Sequence, residues 1–82
     1  MKIYLYSTLG CHLCEQAKVT LWPLLLKYQF RLAEVDISNS DEMIETYGTR
    51  IPVLGASDNL TELNWPFTPE QVDRFFAELA GL

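Results

Sequence analysis

The first 37 residues change from a strand pattern to a helical pattern and back, which restricts the fold more than any other feature. Lys2–Tyr6 is short and rich in Ile, Tyr and Leu, which favours a β-strand. Apolar residues then recur every three or four positions and predict a helix from Cys11 onward; they are Leu13, Ala17, Leu21, Leu24 and Tyr28. Phe30–Ile37 alternates between apolar and polar residues and predicts a second strand. Such a unit joins two parallel strands by a right-handed crossover.

Two more strands are predicted after residue 50. Ile51–Leu54 reads as the third strand, residues 55–59 as a turn, and Leu60–Trp65 as a fourth strand that Pro66 ends. Because the connection between these strands is short, we expect an antiparallel hairpin.

Two more helices are indicated by their capping residues. Asn39 and Glu42 have the spacing of a capping box, and Gly48 ends this short helix. The last helix begins with a typical set: Thr68 as cap, Pro69 at the first position and Gln71 closing the box. Gly81 ends it. The 82 residues therefore predict one α/β domain, residues 1–82, of order β-α-β-α-β-β-α, with a four-stranded mixed sheet and helices on both faces.

Pro23 lies inside the pattern of the first helix. It lacks the N–H that would bond to the carbonyl of Val19, so we expect a kink, or a break near Trp22.

Six Lys and Arg against eleven Asp and Glu give a net charge of −5. Scattered basic residues in an acidic chain bind phosphate backbones and anionic membranes poorly, so we expect neither a nucleic-acid nor a membrane partner. The apolar start of the chain is too short for a signal peptide, and Leu21–Leu26 is too short to span a bilayer. We therefore expect a cytoplasmic protein whose two cysteines are catalytic or metal-binding rather than structural.

Cys11 and Cys14 form a Cys-x-x-Cys motif directly after a strand and loop, at the start of a helix. Residues three apart on a helix share a face, so a disulfide between them is within reach. The positive end of the helix dipole stabilises a thiolate and lowers its pKa. We expect Cys11 to be the more exposed thiol and Cys14 to be more buried and to act second.

Three other readings of the motif remain. Half of a zinc site would need ligands beyond two Cys and one His. Two unrelated buried thiols would pack as small apolar residues. A structural disulfide would close too short a loop to restrict the unfolded chain much.

The motif, the order of elements and the segment Thr49–Leu54 together resemble the thioredoxin superfamily, and within it the bacterial glutaredoxin-like proteins. The resemblance covers essentially the whole chain. It implies a cis Ile51–Pro52 bond opposite Cys11, with the backbone of Ile51 open to a bound thiol peptide. It also implies that Cys11 is the nucleophile and Cys14 the resolving thiol, with no bound cofactor and with glutathione as a co-substrate.

The chain departs from the usual glutaredoxin pattern in three places. His12 and Leu13 separate the cysteines, where an aromatic residue or proline is usual. Thr8 and Leu9 precede the motif, where a basic residue is usual. Residues 64–68 lack the Gly-Gly and acidic or hydroxyl pair that grips glutathione. Arg50 would replace one anionic contact and Thr68 another, unless Arg50 is only a surface charge and Thr68 only a cap.

Several side chains have two readings. His12 either favours the Cys11 thiolate or is an exposed bystander. Asp36 reads as a polar residue at a strand end rather than a buried proton acceptor near Cys14. Trp22 and Leu26 lie outside the predicted core face of the first helix. They either pack under the sheet or form an apolar patch for a partner. Trp65 and Phe67 either rim the thiol site or pack in the core.

The sequence thus predicts a thiol–disulfide oxidoreductase that reduces disulfides of proteins or of glutathione, acts through Cys11 and Cys14, and binds substrate at Arg50, Ile51 and Pro52, with His12 tuning the thiol pKa. We expect a monomer without a bound metal. The alternative is a non-catalytic thioredoxin-fold module that binds a protein. A third reading is an iron–sulfur cluster shared between two chains, as in some glutaredoxins.

Overall fold

The computed structural model describes residues 1–57 and 61–81. Its elements follow in chain order: β1 (Lys2–Ser7), α1 (His12–Tyr28), β2 (Arg31–Asp36), a 3₁₀ turn (Ile37–Asn39), α2 (Asp41–Tyr47), β3 (Val53–Ala56), β4 (Glu62–Asn64) and α3 (Pro69–Leu79). None of the helices in these ranges is long and apolar enough to cross a membrane.

The four strands form one sheet in the order β2-β1-β3-β4. β1 runs parallel to β2 and antiparallel to β3, and β3 runs antiparallel to β4. The α1 crossover therefore joins the parallel pair, as the strand–helix–strand pattern predicts. The mixed sheet with three helices confirms the predicted thioredoxin-like fold.

Side chains of β1 alternate between two layers of the protein. Ile3 and Leu5 are fully buried, whereas Tyr4 and Tyr6 point to the other face and are half-buried. The buried pair belongs to one core between the sheet and two helices; α1 supplies Ala17, Leu21 and Leu25, and α3 supplies Val72, Phe75 and Phe76. On the opposite face Tyr47 of α2 stacks on Tyr6. Helices therefore cover both faces of the sheet.

The start of α3 follows its capping pattern in full. The Thr68 side chain accepts from the N–H of Gln71, the Gln71 side chain accepts from the N–H of Thr68, and Pro69 opens the helix. This box satisfies two backbone donors that a helix start leaves without an internal partner.

The predicted start of α2 is wrong by one residue. Ser40, not Asn39, caps this helix and accepts from the N–H of Met43. Asn39 instead ends the 3₁₀ turn that follows β2. Because the 3₁₀ turn takes up Ile37–Asn39, the helix begins only after it, with Ser40 as its cap.

The third strand is shifted towards the C-terminus from its predicted position. Pro52 has no N–H to give to a sheet, so pairing begins at Val53. Gly55 and Ala56, predicted as a turn, pair with Tyr4 and Ile3. The rest of the predicted turn and the start of the predicted fourth strand include residues 58–60, which lie outside the described residues. The fourth strand, β4, ends one residue earlier than predicted, at Asn64.

Pro23 does not break α1, which continues through it from His12 to Tyr28. The proline is exposed, on the side of the helix away from the core. Val19, Trp22 and Leu26 share this outer side, with Trp22 61% and Leu26 65% exposed. Of the two fates considered for Trp22 and Leu26, the structure therefore shows the exposed one.

Phe76 is the largest fully buried side chain, and its ring lies edge-on to the rings of Tyr28 and Phe30. We expect Phe76→Ala to lower the free energy of unfolding by about 3–5 kcal/mol, because the core would lose these contacts and gain a cavity. The exposed Leu26→Ala variant should lose about 0.5 kcal/mol or less. Urea unfolding followed by circular dichroism measures both. Equal losses in the two variants would contradict this description of the core.

Candidate functional site

Three segments meet at one end of the sheet, called here the thiol end: residues 8–14, residues 51–52 and residues 65–68. β1 ends at Ser7 and leads into the first segment. β3 begins beside that end, because Val53 pairs with Tyr6. β4 finishes there as well, and the N–H of Trp65 donates to the carbonyl of Pro52 at 3.3 Å. The register of the sheet therefore brings Cys11 and Pro52 to the same end of the protein.

Cys11 and Cys14 form a disulfide with their Cα atoms 5.2 Å apart. Cys11 caps α1 and is half-buried, whereas Cys14 lies one turn inside the helix and is 2% exposed. The relative exposure of the two cysteines is as predicted. Cys11 is the more accessible residue of the pair.

The Sγ atom of Cys11 accepts a hydrogen bond from the backbone N–H of Cys14, at 3.1 Å. This N–H is one of the donors that a helix start leaves without an internal partner. Once the pair is reduced, the same position places a thiolate against the positive end of the helix, which lowers the pKa of a thiol.

Asp36 ends β2, opposite Ser7 at the end of β1. Its carboxylate accepts from the N–H and the hydroxyl of Ser38, at 2.9 and 2.7 Å. These bonds lower the pKa of Asp36, with the Ser38 hydroxyl as the largest cause. Asp36 is therefore a polar residue at a strand end, as predicted, and it caps the 3₁₀ turn that follows β2. The carbonyl of Thr8 accepts from the N–H of Cys11 at 3.4 Å.

Arg50 is neither free nor simply solvated. Its Nη2 donates to Oε1 of Glu62 at 2.9 Å and to Oδ1 of Asn64 at 3.0 Å. Its guanidinium carbon also lies 5.4 Å from the centroid of the Tyr47 ring. Its charge is therefore offset within the fold, which neither reading of the sequence expected.

The backbone of Ile51 differs from its expected state. Its N–H donates to the carbonyl of Tyr47 at 3.1 Å, because the chain turns tightly after α2. This donor is not open to a bound peptide, which corrects the expectation. The Ile51–Pro52 peptide bond is cis, as the resemblance implied, and Pro52 is buried.

Tyr47 and Glu62 are part of this region and were missed by sequence reasoning. The Tyr47 ring stacks on Tyr6 with centroids 4.2 Å apart, and its hydroxyl donates to Oε2 of Glu62 at 2.9 Å. Burial, then the bond to Glu62, raise the pKa of Tyr47. Gly55 lies beneath Tyr6, since an added Cβ would stand 3.1 Å from that ring. No local pattern joins residues that meet only through the sheet.

The aromatic residues after β4 belong mainly to the core. Phe67 is buried, and Trp65 packs edge-on against it with centroids 5.1 Å apart. The Trp65–Pro66 bond is also cis, which the sequence analysis did not foresee. The hydroxyl of Thr68 is engaged in its helix cap, so the structure supports the cap reading of this residue.

His12 is the first residue of α1 and is exposed beside Cys11. Within residues 1–57 and 61–81, no group of three or more His, Cys, Asp or Glu side chains is placed to hold a metal ion.

A family model described as "Glutaredoxin-like domain (DUF836)" matches residues 2–77. The chain belongs to this glutaredoxin-like family. The family and the Cys11–Cys14 pair fit a thiol oxidoreductase.

Two solved structures have similar sequences and the same fold. Target protein XcR50 from X. campestris is 28% identical with a TM-score of 0.78, and the match covers 93% of this chain and 96% of that chain. Protein Ne2328 from Nitrosomonas europaea is 29% identical with a TM-score of 0.77, and the match covers 90% of this chain and 88% of that chain. A malarial protein, 11% identical with a TM-score of 0.67 over 94% of this chain and 93% of that chain, shares the fold alone. No curated protein sequence matches this chain.

The lowered pKa of Asp36 predicts an acid-linked loss of stability. A carboxyl group with a lowered folded pKa stabilises the fold above its unfolded pKa of about 3.9, and this stability is lost as the pH falls through the folded value. Asp36→Asn keeps an acceptor oxygen but cannot ionise, so it should lose less stability than the wild type on acidification from about pH 5. Urea unfolding midpoints at a series of pH values measure this.

Ser38→Ala is the matched variant, because it removes one donor and leaves the Asp36 carboxylate. It should reduce the acid-linked loss only in part. The same loss in all three proteins would show that Asp36 is not held in this way.

Proposed function

We propose that the protein is a thiol–disulfide oxidoreductase with Cys11 as the nucleophile and Cys14 as the resolving thiol. The observation that carries the proposal is the disulfide between a half-buried Cys11 and a buried Cys14. Cys11 caps α1, and its sulfur accepts a hydrogen bond from the backbone N–H of Cys14. A buried structural thiol pair would not leave one sulfur at the surface at a helix start.

The reaction starts from the reduced pair. The Cys11 thiolate attacks one sulfur of a substrate disulfide, a bond forms between Cys11 and that sulfur, and the substrate S–S bond breaks. The departing thiolate takes a proton from water. Cys14 then loses its proton and attacks the Cys11 sulfur, which releases the second substrate thiol and leaves the Cys11–Cys14 disulfide. Two electrons pass to the substrate, and an external thiol reductant reverses the exchange to restore the pair.

The surroundings of the pair support this order of events. The buried Cys14 is poorly accessible to a free disulfide, whereas the sulfur of Cys11, one helical turn away, is within bonding reach of it. Pro52 and the carbonyl side of Ile51 are the groups we expect to contact the substrate, since they end the neighbouring segment at the same end of the sheet. The chemistry needs no bound organic cofactor, and glutathione or a protein supplies the disulfide.

His12 is proposed to help Cys11. As the first helical residue, its exposed ring is adjacent in sequence to the nucleophile, and an imidazolium there would favour the thiolate. Exchanging it for Gln keeps a polar side chain and removes the charge, so the pH at which Cys11 becomes reactive should rise.

The test is trapping of the first intermediate. Cys14→Ser, mixed with a small disulfide at pH 7, should form a stable adduct on Cys11, visible by intact mass. Its rate should exceed that of a capped peptide of residues 9–13 by about three- to tenfold, because a lower thiol pKa raises the thiolate fraction and only partly lowers its nucleophilicity. The wild type should pass through the adduct without accumulating it.

Cys11→Ser is the matched control, because it retains the other cysteine in the same motif. It should react more slowly than the peptide, since Cys14 is buried. A Cys14→Ser rate no higher than that of the peptide would remove the enzymatic proposal. It would leave the non-catalytic binding module as the better account of the fold.

A further inference from the structure

α1 and α3 begin at the thiol end, α2 begins one 3₁₀ turn after β2 ends there, and each helix carries acidic side chains in its first turn. Glu15 lies in the first turn of α1, Asp41 and Glu42 in that of α2, and Glu70 in that of α3. Asp36 ends β2 at the same end, opposite Ser7. Glu15 is paired with Lys18, whereas the full negative charges of Asp41, Glu42 and Glu70 exceed the roughly half-unit positive charge of the starts of α2 and α3.

Basic side chains near this end are already paired. Lys18 contacts Glu15 at 3.2 Å and Glu34 at 2.9 Å. Arg50 is held by Glu62. Lys2 and Arg31 begin β1 and β2 at the opposite end of the sheet, and their register places them side by side. The three segments of the thiol end, all of them described residues, contain His12 but no Lys or Arg, and Arg74 lies in the second turn of α3. These segments therefore hold no ammonium or guanidinium group to neutralise a bound carboxylate.

Two exposed apolar side chains lie two residues before and two residues after Cys11. Leu9 is 92% exposed and Leu13 is 45% exposed, on either side of the nucleophile in the sequence. Covering such side chains removes apolar surface from water, which favours contact with a chain that has apolar groups of its own. Glutathione offers no such group, and its carboxylates outnumber its ammonium group.

We propose that the preferred substrate of Cys11 is a disulfide in a positively charged protein segment, rather than a glutathione disulfide. This inference rests on the proposed function, since it names the substrate of that same thiol. The acidic surface attracts the segment, Leu9 and Leu13 pack against it, and Cys11 forms the mixed disulfide with its sulfur. A negatively charged disulfide is repelled by the same surface.

The experiment uses the Cys14→Ser protein and a set of matched mixed disulfides with 2-thiopyridine. Three peptides have the same length and one leucine beside the cysteine, and differ only in flanking Lys, Gln or Glu. The glutathione adduct and a hydroxyethyl adduct complete the set. The Cys11 thiolate bonds to the peptide sulfur and expels pyridine-2-thione, whose absorbance gives the rate. All rates are divided by those of the capped peptide of residues 9–13, which cancels the charge of the thiolate itself.

We expect the Lys peptide to react about tenfold faster than the Glu peptide at low salt, a difference typical of electrostatic steering. The ratio should shrink as added salt screens the surface charges. The glutathione adduct should react as slowly as the Glu peptide. Equal rates for the Lys and Glu peptides, or a faster glutathione adduct, would overturn the inference.

Two variants assign the effect to the residues named. Asp41→Asn/Glu42→Gln/Glu70→Gln should reduce the Lys-to-Glu ratio severalfold, whereas Glu78→Gln, near the far end of α3, should leave it unchanged. Leu9→Ser/Leu13→Ser should slow the Gln peptide about fivefold more than it slows the hydroxyethyl adduct, as expected for lost apolar contact. A ratio that survives the triple variant would rule out these carboxylates, and the salt series decides the matter if that variant does not fold.

The two proposals fail in different ways. If no probe reacts faster than with the capped peptide, the oxidoreductase itself is refuted. If every probe reacts fast and without regard to charge, only the inferred substrate class is lost.

Discussion

The position of β1 at the centre of the sheet is the constraint on which the rest of the structure depends. Its buried residues Ile3 and Leu5 anchor the core under α1 and α3. Its two neighbours then decide what surrounds its end, because parallel β2 delivers Asp36 there and antiparallel β3 starts there after Pro52. The loop to Cys11 leaves β1 at this same place. The position of β1 in the sheet therefore fixes where the Cys11–Cys14 pair lies.

The start of α1 determines the chemical surroundings of the Cys11 sulfur. A helix leaves its first N–H groups without internal partners, and in this protein one of them points at the sulfur of Cys11. The carbonyl of Thr8 accepts from the N–H of Cys11 in the preceding loop. The stacked Tyr6 and Tyr47 and the Arg50–Glu62 pair hold the turn before Pro52. The position of Cys11 therefore depends on aromatic packing and on polar contacts in the neighbouring loop and turn.

Much of this was readable in the sequence. Period-two and helical spacings predict the order of elements, and the Thr68 box predicts the start of α3, because these signals act within a few residues. The Cys-x-x-Cys motif at a helix start predicts which sulfur is exposed. The predictions that were wrong depend on residues further apart in the sequence than these short patterns reach. The 3₁₀ turn moves the cap of α2 to Ser40, and sheet pairing extends β3 through Gly55 and Ala56.

The sequence by itself determined the order of the elements, the cap of α3 and the place of the dithiol, since periodicity, capping and the motif depend on neighbours along the chain. Only the tertiary structure decided the state of Arg50 and Tyr47. Their common partner Glu62 lies 12 and 15 residues away and reaches them through the pairing of β3 with β4. It also decided that the N–H of Ile51 is engaged by Tyr47. The sequence specifies which side chains are charged, but the pairing of the strands decides whether a charge faces solvent or a partner.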